Sequence, residues 1–174
     1  MFDKKLTQYK IEKLWHFTDR SNLPLIKRHG GILSLRKLRE LEIEVPYPGG
    51  NDWSHDADTA RGLDKYINLT LIPNHPMLYT AKQQGRILDP VWLSIRADIA
   101  LHKDVRFCKT VSNRSDSEIL DHARAAEELD LEALFTYMDW SDPEVHARRR
   151  NAEKSEVLIP DLVPVDKILG FQNG

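Results

Sequence analysis

Glu156 opens an apolar run, Glu156-Val157-Leu158-Ile159, directly after Lys154-Ser155. A carboxylate at the start of a strand is commonly a solvated cap, and by itself it says little. What precedes it adds interest. Arg148-Arg149-Arg150, with His146 and Lys154 close by, is the one dense basic segment of the chain. On a helix, successive residues point about 100° apart, so these arginines cannot all face one ligand. Most such runs form a solvated face, but a phosphate contact a few residues before a carboxylate would be chemically useful. His16 lies between Trp15 and Phe17, where a strand histidine is more often hydrogen-bonded structure than chemistry. Arg61 follows a loop rich in proline and glycine, where the ordinary role is a solvated surface arginine. His55, Asp56 and Asp58 could suggest a metal site. Their spacing matches no standard ligand pattern, and a polar loop accounts for them. The phosphate-binding glycine motifs of P-loop and Rossmann proteins are absent, and nothing selects a Ser/His/Asp triad.

These residues sit in a chain of 174 residues, suited to a single domain over 1–174. A hydrophobic content of 41% suffices for a core, and 30% charged residues give a well-solvated surface. The net charge of −2 argues against coating nucleic acid by bulk electrostatics, although it leaves room for a local basic groove. Cys108 is the single cysteine, so an internal disulfide is excluded and a cysteine-based zinc site is disfavoured. No apolar run approaches the roughly 18–20 residues that span a bilayer. The first residues also lack the pattern of a secretory signal. The expectation is a cytoplasmic protein without a membrane partner or a metal.

The elements that must position the candidates follow from the pattern. Residues 13–18, Lys-Leu-Trp-His-Phe-Thr, read as a strand. Asp19 to Asn22 offer helix caps, Leu23, Leu25 and Ile26 an apolar helix face, and Gly30-Gly31 a stop. Ile32-Leu33-Ser34 reads as a second strand, followed by the helical spacing Leu35, Leu38, Leu41. Residues 45–56 carry the strongest turn cluster, and a loop of that length inside a compact domain is often functional. A strand is expected over 66–72, a turn at 73–76 and a helix from Met77. Two more strands fit 91–95 and 105–109. Two helices fit 117–138, and another begins at Asp142-Pro143. Strands over 156–159 and 168–171 complete an α+β domain.

The ordered set of motifs resembles the DarT family of DNA ADP-ribosyltransferases. Its opening is similar to Leu14-Trp15-His16-Phe17-Thr18, then Ser21-Asn22-Leu23, Ile26 and Gly30-Gly31-Ile32-Leu33-Ser34. Asn68 to Tyr79, with Pro76-Met77-Leu78-Tyr79 its most recognisable part, looks like the family's strand-turn-helix segment. Trp140-Ser141-Asp142-Pro143, the arginine-rich helix and Glu156-Val157-Leu158-Ile159 resemble its helix and catalytic strand. The resemblance runs from about Leu14 to Phe171. The segment between Arg61 and Tyr66 is shorter than the family pattern.

The resemblance implies an ADP-ribosyltransferase-like split β-sheet with short helices around it, and an NAD cleft between two small sheets. It implies NAD as co-substrate, cleaved at the nicotinamide–ribose bond through a transition state of oxocarbenium character. Glu156 would bind the ribose 2′-hydroxyl and stabilise positive charge. Arg61 would orient and stabilise charge near the diphosphate or the acceptor, since an ordinary arginine is a poor base at neutral pH. His16, Thr18, Asn22 and Gly31 would hold the dinucleotide. Trp53 and His55 could stack on a base, and Arg148, Arg149 and Lys154 could contact phosphates. The implied acceptor is thymidine or guanosine in single-stranded DNA, with RNA as a second acceptor, and the implied role a toxin or phage-defence effector with a macrodomain antitoxin. Three alternatives stand beside this: transfer to RNA or protein, the related RNA 2′-phosphotransferase chemistry, and a catalytically silent binding module of the same fold.

Overall fold

The computed structural model describes residues 1–48, 56 and 58–174. Eight strands are assigned among them: β1 (Lys13–Asp19), β2 (Gly31–Leu33), β3 (Tyr66–Thr70), β4 (Pro90–Arg96), β5 (Arg106–Cys108), β6 (Glu156–Pro160), β7 (Leu162–Pro164) and β8 (Ile168–Asn173). Six of them form one sheet in the order β5-β6-β3-β1-β4-β8, and β2 pairs with β7 in a separate ribbon. Every pairing is antiparallel.

The large sheet is divided down its middle. β1 stays in register with β4 from Lys13↔Arg96 to Asp19↔Pro90, and β3 with β6 from Tyr66↔Pro160 to Thr70↔Glu156. Between β1 and β3, at the centre of the sheet, the register holds one partner pair, Trp15↔Thr70. The halves β5-β6-β3 and β1-β4-β8 therefore meet at one rung and diverge beyond it. One residue further along β1, the His16 imidazole crosses the gap, its Nδ1 lying 3.0 Å from the carbonyl oxygen of Asn68. A side chain makes the cross-strand hydrogen bond where the ladder has ended. The split sheet of the sequence expectation takes this form, a single sheet opened at one rung, with the β2–β7 ribbon as the second sheet.

Below the rung the halves share a core. Leu14 of β1, Ile67 and Leu69 of β3, Ile95 of β4, Phe107 of β5 and Val157 and Ile159 of β6 belong to one buried cluster. Phe2 and Leu6 reach it from a helix over Phe2–Gln8, and Ala125 and Leu134 from the helices His122–Glu128 and Leu131–Phe135. Burial of this apolar surface is the main favourable contribution to folding. A smaller cluster, Leu78, Ala81, Ile87 and Trp92, holds the helix Pro76–Gln83 against β4.

Two expectations shift in detail. The strand expected to reach residue 72 stops at Thr70, whose hydroxyl donates to the Ile72 carbonyl at 2.7 Å and turns the chain. Ser34, expected to end a strand, instead caps the helix Leu35–Glu40 by accepting from the Lys37 amide. Gly31 has a φ of +151°, and a Cβ there would lie 2.1 Å from the Val163 carbonyl oxygen. Only glycine lets β2 and β7 approach this closely.

Candidate active site

The gap between the half-sheets is the mouth of a cleft of about 540 Å³, within the range of pockets that take small molecules and cofactors. His16 and Thr18 line it from β1, Asn68 from β3 and Glu156 from β6, while Asn22, Gly31 and His75 complete the wall. Sequence positions spread over most of the chain converge here because β1, β3 and β6 are near neighbours in one sheet.

Glu156 is 3% exposed. Its Oε2 accepts the Ser112 amide N–H at 2.9 Å and the Asn68 Nδ2 amide at 3.0 Å. Asn68 Nδ2 also lies 2.8 Å from the Ser112 hydroxyl, tying β3 to the same loop. Burial raises the Glu156 carboxyl, and the negative charge of Asp58 adds to that rise. The Ser112 and Asn68 hydrogen bonds oppose it, leaving the group pushed up to about 7.

His75 faces the other carboxylate oxygen. It is 2% exposed. Its Nδ1 accepts the Met77 amide N–H at 3.3 Å, capping the helix Pro76–Gln83. Nε2 therefore carries the proton, and it lies 3.4 Å from the Lys154 carbonyl oxygen and 3.5 Å from Glu156 Oε1. Burial pushes the imidazole down to about 4, so it is neutral around pH 7. Burial also lowers His16, with the Asn68 carbonyl opposing. Both histidines act as neutral hydrogen-bonding groups.

Arg61 takes a supporting position. Its Nη1 donates to the carbonyl oxygens of Ser112 and Arg114 and to the Ser117 hydroxyl, and its Nη2 donates to the Ser117 carbonyl at 2.6 Å. The guanidinium thus clamps the loop whose Ser112 amide holds Glu156. Asp58, three residues earlier, also lines the cleft. Burial pushes it up to about 6, and the negative charge of Asp64 adds to this while the Arg61 guanidinium opposes it.

Asn22 is buried and works locally. Its Nδ2 donates to Thr18 Oγ1 at 3.1 Å and to the Tyr47 carbonyl at 2.8 Å. It joins the end of β1 to Tyr47, near the start of the Pro/Gly-rich loop. Gly31 lines the cleft as well, although the Val163 contact alone already demands glycine there.

The arginine run divides as helical geometry requires. Arg148 binds Asp130 through two nitrogens, at 2.5 and 2.6 Å, and Glu132 at 2.7 Å. Arg149 donates to Glu153 and to the carbonyls of Ala133 and Leu134. Lys154 Nζ has one described partner, the Asn151 side-chain oxygen at 3.2 Å. Trp53 and His55 lie outside the described residues. Sequence reasoning missed His75, Ser112 and the side chain of Asn68 as parts of the site. An amide in the middle of an otherwise apolar strand was the one available signal, and it pointed to Asn68. Among the described residues no three His, Cys, Asp or Glu side chains converge to hold a metal ion.

A family model described as ssDNA thymidine ADP-ribosyltransferase, DarT, matches residues 15–172. The chain belongs to the DarT family. No curated protein sequence matches it. Among solved structures, Thermosipho africanus DarTG in complex with ADP-ribose is similar with a TM-score of 0.65 and 17% identity. That match covers 92% of this chain and 43% of the DarTG chain, so this chain spans less than half of that relative. Thermus sp. 2.9 DarT in complex with NAD+ gives a TM-score of 0.59 at 20% identity, covering 91% of this chain and 79% of that one. The same Thermus protein in complex with ADP-ribosylated ssDNA gives 0.59 at 22% identity, covering 93% and 81%. The mixed α/β fold with its divided antiparallel sheet is that of the DarT ADP-ribosyltransferases, an NAD-dependent enzyme family. Among the described residues no helix is long and apolar enough to cross a membrane.

Proposed function

We propose that this DarT-family chain cleaves NAD+ and transfers ADP-ribose to a base, thymidine or guanosine, in single-stranded DNA. The observation that carries the reading is Glu156, a buried carboxylate at the head of β6, fixed on one oxygen by Ser112 and Asn68 inside the cleft. Support comes from the family match and from the Thermus relative, described with NAD+ and with ADP-ribosylated ssDNA.

In this reading the ionised Glu156 accepts the ribose 2′-hydroxyl and stabilises the positive charge that grows as the nicotinamide bond breaks. A carboxylate held rigidly loses little reorganisation energy at that moment, which is what the Ser112 and Asn68 donors provide. His16, Thr18, Asn22 and Gly31 line the part of the cleft assigned to the dinucleotide. Arg61 is a positioning residue, acting on Glu156 through the loop it clamps. Trp53 and His55 keep their assignment as base-stacking candidates. An unpaired base is the sensible acceptor, because pairing and stacking occupy its reactive edge in duplex. A toxin or phage-defence effector opposed by a macrodomain antitoxin is the biological role that fits such chemistry.

The test is incubation with NAD+ and single-stranded DNA or RNA oligonucleotides, read by intact mass. One added ADP-ribose on DNA, lost in Glu156→Ala, is the expected result. NAD+ left untouched and no adduct on either strand type would overturn the enzyme reading.

A further inference from the structure

A second groove, of about 1010 Å³, lies across the wall of the cleft. Tyr79, Trp140, Arg149, Arg150 and Lys154 line it, together with Asn74. Two residues of this groove are continuous with the active site. Asn74 directly precedes His75, and Lys154 lies two positions before Glu156 and offers its carbonyl to His75. His75, which lines the cleft, thus touches the backbone of Lys154, which lines the groove.

The groove presents aromatic faces and positive charge together. Tyr79 is 60% exposed and Trp140 37%, although large aromatics usually contribute to a core. Neither hangs loose. The Tyr79 hydroxyl donates to Asn74 Oδ1 at 3.4 Å, and the Arg149 guanidinium lies 4.8 Å from the centre of the Trp140 ring. Arg149 is itself fixed by Glu153 and by two backbone carbonyls. The acidic Glu153 is therefore neutralised, while among the described residues no ion pair engages Arg150 or Lys154. A chain with a net charge of −2 keeps an uncompensated positive strip here.

We propose that this groove carries the nucleotides flanking the acceptor base of a single strand, Tyr79 and Trp140 stacking on bases and Arg150 and Lys154 contacting phosphates. Exposed, oriented aromatics beside a positive strip are the physical requirement for binding unpaired nucleic acid, since every base offers a stacking face only when it is unstacked from its neighbours. The strand then crosses the His75–Lys154 wall and delivers its base towards Glu156. The chemical outcome of that delivery rests on the function proposed above, whereas the binding itself does not.

Fluorescence anisotropy of a labelled single-stranded DNA oligonucleotide on the full chain tests this. Trp140→Ala is expected to weaken binding about tenfold or more. Trp140→Phe is expected to recover most of the loss. Arg150→Glu is expected to weaken binding and to flatten the salt dependence by about the slope of one phosphate contact, roughly 0.7 in log Kd against log salt. Affinity for NAD+, measured by calorimetry, stays within about twofold in Arg150→Glu. Arg150→Glu alters an exposed charge, so it keeps the test decisive if Trp140→Ala fails to fold. Unchanged Kd and unchanged salt slope in Arg150→Glu, with Trp140→Ala binding like the parent, would overturn the groove while leaving the transferase reading intact. Groove-dependent binding without any ADP-ribose adduct on DNA would do the reverse.

Discussion

The Ser112 backbone amide donates to Glu156 Oε2 at 2.9 Å, joining residues 44 positions apart. Few contacts in the molecule matter more to the proposed chemistry, because this bond fixes the carboxylate without neutralising it. Arg61 stands behind the bond, holding the Ser112–Ser117 loop by its carbonyls and a hydroxyl.

Replacing Glu156 with Gln should reduce ADP-ribose transfer by about 10²–10³-fold, the usual cost of losing one electrostatic stabiliser. Single-turnover rates at saturating NAD+ measure it. A loss confined to KM would assign Glu156 to binding alone.

The same residue sets a pH dependence. With its carboxyl pushed up to about 7, Glu156 is half-ionised near neutrality, so transfer should rise as pH increases through that value. Stability runs the other way. The folded chain holds this proton more tightly than the unfolded one, so the group's contribution is intact below its ordinary value of 4.5 and declines as pH rises through about 7. The accumulated cost above that pH is on the order of 3 kcal/mol. Glu156→Gln should therefore show a flatter fall in melting temperature than the parent chain as pH rises from 4.5 to about 7.

His75 gives the acidic limb. Its value, lowered by burial to about 4 from 6.5, means that the unfolded chain takes up a proton first. Its contribution is present above 6.5 and is lost as pH falls through about 4. His75→Gln should remove part of the acid-induced loss of stability, read from urea midpoints across that range.

Gly31→Ala should destabilise the chain by about 2 kcal/mol or more, since the new Cβ meets the Val163 carbonyl oxygen at 2.1 Å and the left-handed backbone is strained for alanine. Denaturant unfolding measures the shift. A neutral result would mean that the β2–β7 ribbon separates at little cost.

Arg61→Ala should lower the transfer rate by about 10–100-fold, in line with the loss of charged hydrogen bonds to the loop. It should also speed amide exchange over residues 112–117, which a direct role at the diphosphate would leave unaffected. Arg61→Lys, unable to bridge four acceptors, should rescue little.

Much of the frame was legible in the chain itself. The β-branched and aromatic runs marked β1, β3 and β6, and the ordered motifs marked Glu156 and His16 within them. Asp142 caps the helix Pro143–Ala152 where Asp142-Pro143 places its start, whereas Ser34, read as the end of a strand, caps a helix instead. What escaped was whatever depends on contact between distant segments. Ser112 belongs to a loop without periodicity, and its value lies in one backbone N–H that any residue but proline would supply. His75 read as a turn residue because the partners of its Nε2, Lys154 and Glu156, come from a distant part of the chain and are brought to it only by the fold. Arg148 illustrates the converse. Its positive charge suggested phosphate, whereas the fold places Asp130 and Glu132 beside it. Leu162–Pro164, three residues long, is too brief for alternation to reveal a strand.

The one-rung junction at Trp15↔Thr70 carries a consequence for how the protein can change. A sheet zipped along its whole length spends its central backbone groups on each other, and a ligand finds none to use. Here the ladder stops after one rung, and the next main-chain acceptor, the Asn68 carbonyl, is met by a side chain, His16, instead of by a neighbouring strand. Side chains around the opening are then free to diverge between relatives, because the part of the site they surround is written in topology rather than in residue identity.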